Sequence, residues 1–104
     1  MQAECCIGRC YEKLGRPAEA LEQYYLKVVL RYFEERKKGS RLNESSKLWF
    51  SRAAFYAVDI LEAKKDWRRM VRLLERVDEA GVPAAEEARE RIKKIKSEHF
   101  WLFY

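Results

Sequence analysis

The stretch AECCIGRCYEKLGRPAEALEQYYLKVVLRY, residues 3–32, decides the fold. Apolar residues recur at helical spacing on both sides of Gly15-Arg16-Pro17. Ile7, Cys10, Tyr11 and Leu14 fall on one face of a first helix, and Leu21, Tyr24, Tyr25, Val28 and Tyr32 form a stripe on a second. The pattern predicts two one-sided helices joined by a tight turn, with Pro17 opening the second, a position where its missing N–H is no loss. Gly8 in a helix interior costs about 1 kcal/mol relative to Ala, so it needs a packing reason. Close approach of a neighbouring helix supplies one, with Ala20 in the matching role opposite.

Downstream, the second helix is expected to run through Phe33-Glu34-Glu35-Arg36-Lys37-Lys38 and to stop at Gly39-Ser40, its basic end suited to the helix dipole. A polar link, residues 39–43, follows. Asn43 or Ser45 can cap a third helix, about Glu44 to Lys64, whose wide apolar face includes Leu48, Trp49, Phe50, Ala53, Ala54, Ala57, Val58 and Leu61. Lys64-Lys65-Asp66-Trp67 makes the next turn, with Asp66 as N-cap. Trp67, Met70, Val71, Leu74 and Val77 stripe a fourth helix that Gly81 ends. A fifth, Ala84 to about Ser97, carries Ala85, Ala88, Ile92 and Ile95 on one side. Glu86 and Glu87 lie in its first turn and Lys93, Lys94 and Lys96 in its last; Glu87 with Arg91 and Glu90 with Lys94 are spaced for ion pairs. Shifting the chain by 50 residues lays Ala53 on Ala3, Val58 on Gly8, Leu61 on Tyr11, Lys65 on Gly15, Met70 on Ala20 and Leu74 on Tyr24, a second and weaker copy of the first pair.

Composition agrees with an all-α chain. At 104 residues, 38% charged and 48% hydrophobic, it has the content of one small folded domain, and four Gly and two Pro suit long helices with few turns. The net charge of +5 is spread: residues 1–52 hold 11 basic and 7 acidic side chains, the rest 11 and 10. Without a helix-turn-helix, zinc-finger or stacking pattern beside it, this charge reads as a solvated helical surface and not as a nucleic-acid footprint. Cys5, Cys6 and Cys10 cluster on the first helix. Cys6 and Cys10 share a face, yet a zinc site needs four ligands and no second pair exists, so they read as small hydrophobes, with no metal or cofactor expected. An odd cysteine count also fits a reducing compartment better than a disulfide framework. No secretory signal and no apolar run of about 18 residues is present.

Ala3, Gly8, Tyr11, Gly15, Glu19, Ala20, Leu21 and Tyr24 stand at the spacing of the tetratricopeptide repeat, and the opening stretch resembles one full repeat of that family. Glu4 departs from it, where a large aromatic is usual, and so does Lys27, where a small residue packs. The resemblance implies a right-handed α-α superhelix of antiparallel helix pairs in a single domain: repeat 1 at about 1–38, a linker at 39–43, repeat 2 at about 44–82, and a capping helix with an aromatic tail at 83–104. Since about three repeats are needed to bury a continuous core, it also implies an oligomer or the C-terminal part of a longer repeat protein. The implied activity is protein interaction, a partner protein or peptide lying against the first helices of the pairs. Carried onto this chain, the inward positions are Gln2, Cys5, Arg9 and Glu12, then Arg52, Phe55, Asp59 and Glu62. The Lys and Asn clamp of the chaperone-tail subset has no counterpart, because Cys5 and Arg9 stand in its places; Arg9 and Arg52 can instead fork onto an acidic partner beside Phe55.

Catalytic residues are not expected. The one His99 has no Ser or Cys at motif spacing, no Gly-rich loop precedes a helix, and the acids mix with Lys and Arg along helix faces. The closing run His99-Phe100-Trp101-Leu102-Phe103-Tyr104 admits three readings: Trp101 and its neighbours fold back on the fourth and fifth helices as a cap; Phe100, Trp101 and Phe103 dock into another subunit; or the tail joins Arg91, Lys93, Lys94 and Lys96 as a membrane-surface anchor. A scaffold working in the cytoplasm fits the composition, and a bacterial periplasmic or envelope setting fits the similarity of KVVLRYF to envelope-assembly repeat proteins.

Overall fold

The computed structural model describes residues 2–39 and 43–102, and among them every regular element is helical. In order these are α1 (Gln2–Lys13), α2 (Pro17–Glu22), a π-helical run (Gln23–Val29), α3 (Leu30–Lys37), α4 (Glu44–Ala63), α5 (Trp67–Ala80), α6 (Ala85–Glu98) and a 3₁₀ turn (Phe100–Leu102). Contacts divide the chain into two compact units, Met1–Ala57 and Val58–Tyr104, with the division inside α4.

In the first unit, α1 packs against α2 and the π-helical run. α2, the π run and α3 follow one another without a break, so the second predicted helix is present but not uniform. The N–H of Leu30 bonds to the carbonyl of Tyr25, five residues back. The sequence contains a reason for the widening. Ala20, Tyr24, Val28 and Tyr32 are all buried and stand four apart. Over those twelve residues an α-helix advances about 100° per residue and would carry the fourth member about 120° away from the first. A π-helix turns by about 82° per residue, so seven residues of it take back roughly 125°. The widened segment thus keeps the four side chains in line.

Gly8 is buried, and the packing reason for it is an aromatic ring. A Cβ added there would come within 2.7 Å of Cζ and 2.9 Å of Cδ1 of Tyr24. Tyr24 is 0% exposed, as is Ala20. Further along, Tyr32 stacks on Phe50 of α4 at 4.3 Å between ring centroids, and Phe33 meets the same ring edge-on at 5.7 Å. Asn43 caps α4: its Oδ1 accepts the N–H of Ser46 at 2.8 Å. One expectation fails in this unit. The face bearing Ile7, Cys10 and Leu14 does not enter the core, which takes Cys5 and Gly8 from α1 instead. Ile7 is 45% and Leu14 70% exposed. Large apolar side chains cannot approach where the Tyr24 ring lies flat on the helix, so the small residues turn inward.

The second unit joins the end of α4 to α5 and α6, which pack on each other. Val71, Leu74, Val77, Val82, Ala88 and Ile95 are among its buried residues. Asp66 caps α5, accepting the N–H of Arg69 at 3.4 Å, and Gly81 ends it at φ 66°. In α6 the Arg91–Glu87 pair forms at 3.2 Å, whereas Glu90 and Lys94 do not pair. The turn at residues 61–70 repeats the backbone of the turn at 11–20. The N–H of Arg16 reaches the carbonyl of Tyr11 at 2.8 Å, and that of Asp66 reaches Leu61 at 2.9 Å; Gly15 bonds to Glu12 at 3.1 Å and Lys65 to Glu62 at 2.9 Å. Both are the double closure of a Schellman motif, with the left-handed position filled by Gly15 at φ 73° in one and by Lys65 at φ 57° in the other.

Two substitutions test this account in denaturant melts. Gly8→Ala is expected to lose about 1–2 kcal/mol, because overpacking against a ring that cannot move outweighs the gain of about 1 kcal/mol in helix propensity. Lys65→Gly is expected to gain about 0.5–1 kcal/mol, since a left-handed backbone strains a residue with a Cβ and not a glycine; no gain would mean the turn is unstrained.

Candidate functional site

The sequence-predicted interaction residues divide between the two units: Arg9, Glu12, Arg52 and Phe55 belong to the first and Asp59 to the second. On α1, Arg9 and Glu12 lie one turn apart, so the guanidinium reaches the carboxylate, Nη1 to Oε2, at 3.0 Å. The same carboxylate accepts the hydroxyl of Tyr24 at 2.5 Å. The Arg9 guanidinium also lies 4.5 Å from the centre of the Tyr56 ring, and Tyr56 in turn leans on Tyr24 at 5.5 Å. These four groups form a closed set. Burial raises the Tyr24 phenol well above its ordinary range, and donation of its proton to Glu12 raises it further. Arg9 and Glu12 therefore hold each other and the tyrosines, an arrangement that fixes α1 against the chain's own aromatics. Helical spacing alone does not mark Tyr24 and Tyr56 as members of a polar set; a Tyr whose ring must lie over Gly8 carries its hydroxyl with it, and that is the signal.

Arg52 lies over Trp49 with its guanidinium 5.0 Å from the ring centre, and Phe55 is half-buried. Asp59 is exposed and faces Arg91 at 3.9 Å. In the second unit Asp59, Glu62, Trp67, Met70, Arg91 and Lys94 line a groove of 320 Å³ together with Ile95 and Glu98. Its lining mixes the apolar side chains of Trp67, Met70 and Ile95 with charges of both signs.

The aromatic tail is placed by its histidine. His99 stacks on Trp67 at 4.1 Å with the rings within 16° of parallel, and Trp101 sets its plane against His99 at 5.4 Å and 76°. Arg68 Nη2 donates to the carbonyl of Leu102 at 3.3 Å. The chain does fold back on α5, the fourth predicted helix, but the side chains expected to be covered are not: Phe100 is 59% and Trp101 61% exposed. Phe103 lies outside the described residues. A cation outside the expected set, Arg68, also meets the tail. Arg91 is taken up by Glu87 and Asp59, while Arg68 of α5 touches the tail. Counting charge by halves of the chain hides what surrounds Arg68, for residues 64–72, KKDWRRMVR, hold five cations and one acid.

Of the cysteines, Cys5 is buried, which pushes its thiol up and away from the thiolate, while Cys6 and Cys10 are exposed. Among the described residues no three His, Cys, Asp or Glu side chains are grouped to hold a metal ion, and no helix is long and apolar enough to cross a membrane. No protein-family model matches the chain, and no curated protein or solved structure matches it either.

The buried phenol sets a pH dependence. A folded-state value above the ordinary one of about 10 means that Tyr24 favours the folded chain below that pH and that this contribution is lost as pH rises through the alkaline range toward the folded value. Tyr24→Phe is expected to cost about 1.5 kcal/mol at pH 7, where the bond to Glu12 is intact, and to give a flatter alkaline limb when melts are compared between pH 9 and pH 11. Identical limbs would exclude the role.

Proposed function

We propose that this chain is a non-enzymatic protein-interaction module of helical-repeat type, in which antiparallel helix pairs stack as a right-handed superhelix and α1 presents an edge that a helix of a partner protein covers. The observation that carries the reading is the outer face of α1. Ala3, Ile7, Cys10 and Leu14 are all exposed, and their spacing of four, three and four is that of a seam between two packed helices. A soluble helix that has already buried one side against its own chain has no folding reason for such a stripe on the other, and a contiguous exposed apolar strip marks an interface.

Two further features support it. Arg9 and Glu12, at inward positions of the resembled family, are engaged with one another and with Tyr24 and Tyr56, so the apolar strip is what α1 offers a partner helix. The matching turns at residues 11–20 and 61–70, fifty residues apart, are what two copies of one helix-pair unit would have.

The test uses Cys10 as a reporter in the full chain with Cys6→Ser, a photo-crosslinker being attached to the exposed thiol. Discrete adducts with protein, a second copy of the chain included, are expected from native extract. Ile7→Glu with Leu14→Glu is expected to reduce them more than about 10-fold, since two apolar anchors of an interface are each worth about 1–2 kcal/mol. The melting curve should stay where it was, because both side chains are exposed. An adduct pattern that the double substitution leaves unchanged would overturn the proposal.

A further inference from the structure

We infer that the N-terminal end of α5 and the Phe100-Trp101 turn together form a docking surface for an anionic phospholipid bilayer. The inference stands on the second unit alone and is independent of the α1 stripe.

Three observations meet there. First, the charge is concentrated along the chain. Within residues 64–72, Lys64, Lys65, Arg68, Arg69 and Arg72 accompany one acid, Asp66, which is occupied as the N-cap of α5 and as the partner of Arg69 at 3.6 Å, while Glu62 and Glu98 lie with Trp67 on the neighbouring groove. Lys64, Lys65 and Arg72 form no ion pair among the described residues. Second, this charge sits where it opposes the fold. The first turn of α5 contains no acidic residue, and Arg68 and Arg69 lie at the positive end of the helix macrodipole, where cations are disfavoured and an anion outside the helix is attracted. Third, two large apolar side chains are displayed beside these cations. The His99–Trp67 stack and the Arg68–Leu102 hydrogen bond fix the turn against α5, and from it Phe100 and Trp101 project with more than half their surface in water.

Cations that attract an anionic leaflet and aromatic side chains that enter its interface are the two ingredients of peripheral membrane attachment, and their contributions add. The ring geometry favours lipid over single-stranded nucleic acid, the other polyanion that pairs with arginine and aromatics. Phe100 and Trp101 cross at 78°, so they do not offer the parallel faces on which successive bases stack, whereas an apolar edge entering lipid needs no such alignment.

The experiment is co-sedimentation of the full chain with vesicles of phosphatidylcholine alone and of phosphatidylcholine with about 30% phosphatidylserine, at about 0.1 M salt. Binding is expected to the anionic vesicles only and to fall as salt is raised. Phe100→Ser with Trp101→Ser is expected to lower partitioning about 10-fold. Lys64→Glu with Arg72→Glu, which spares the Arg68–Leu102 bond, is expected to lower it by more than about 10-fold. Ile7→Glu with Leu14→Glu should sediment as the parent chain does, which separates this surface from the α1 stripe. Far-UV circular dichroism checks that each variant is folded. Equal binding to neutral vesicles, no binding to either, insensitivity to both double substitutions, or binding to a single-stranded oligonucleotide with none to vesicles would each overturn the inference.

Discussion

The first unit depends on one contact, the ring of Tyr24 lying over Gly8. A ring that close to a helix backbone leaves no room for a Cβ, which fixes the residue at position 8 and the distance at which α1 and the following rod can meet. It also takes a hydroxyl out of water. A buried phenol without a partner would cost about 1–3 kcal/mol, so the placement of Glu12 one turn after Gly8 is part of the same constraint. Glu12 is steadied by Arg9 and Arg9 by Tyr56, and in this way one aromatic contact orders a polar face. Among the described residues no buried side-chain nitrogen or oxygen lacks a partner.

Further from Gly8, rings replace small residues as spacers. Tyr32, Phe33 and Phe50 fill the space between the rod and α4, and Tyr24 and Tyr56 do so nearer α1. Edge-on and stacked pairs of this kind bury large areas with few rotatable bonds. The widened π run keeps Ala20, Tyr24, Val28 and Tyr32 in line, so one rod serves α1 at one end and α4 at the other.

Many of these features are legible in the order of residues alone. The helix limits are set by residues with one physical use each: Pro17 at a helix start, Asn43 and Asp66 as caps, Gly15, Gly39 and Gly81 at left-handed ends. The pairing of Lys65 with Gly15 under the fifty-residue shift is also readable, although lysine is a poor occupant of that backbone. Two features escape, because apolar periodicity shows that a face is apolar and not what covers it. Ile7, Cys10 and Leu14 satisfy the helical period yet remain in solvent, and Trp101 is large and apolar yet uncovered. The π run hides because its signature is a four-residue spacing that looks like an ordinary helical stripe until its drift is counted. For the site, helical spacing places Arg9 and Glu12 on one face, but their engagement with Tyr24 and Tyr56 rests on contacts 12 or more residues apart that spacing on a single helix does not encode.

The three thiols of α1 have a consequence for the protein as a material. Cys5 is sealed, so air oxidation falls on Cys6 and Cys10 at the surface. A disulfide through Cys10 would tie two chains together across the exposed strip of Ile7 and Leu14 and occlude it. Oxidation at Cys10 would thus change both the size and the stickiness of the chain in solution.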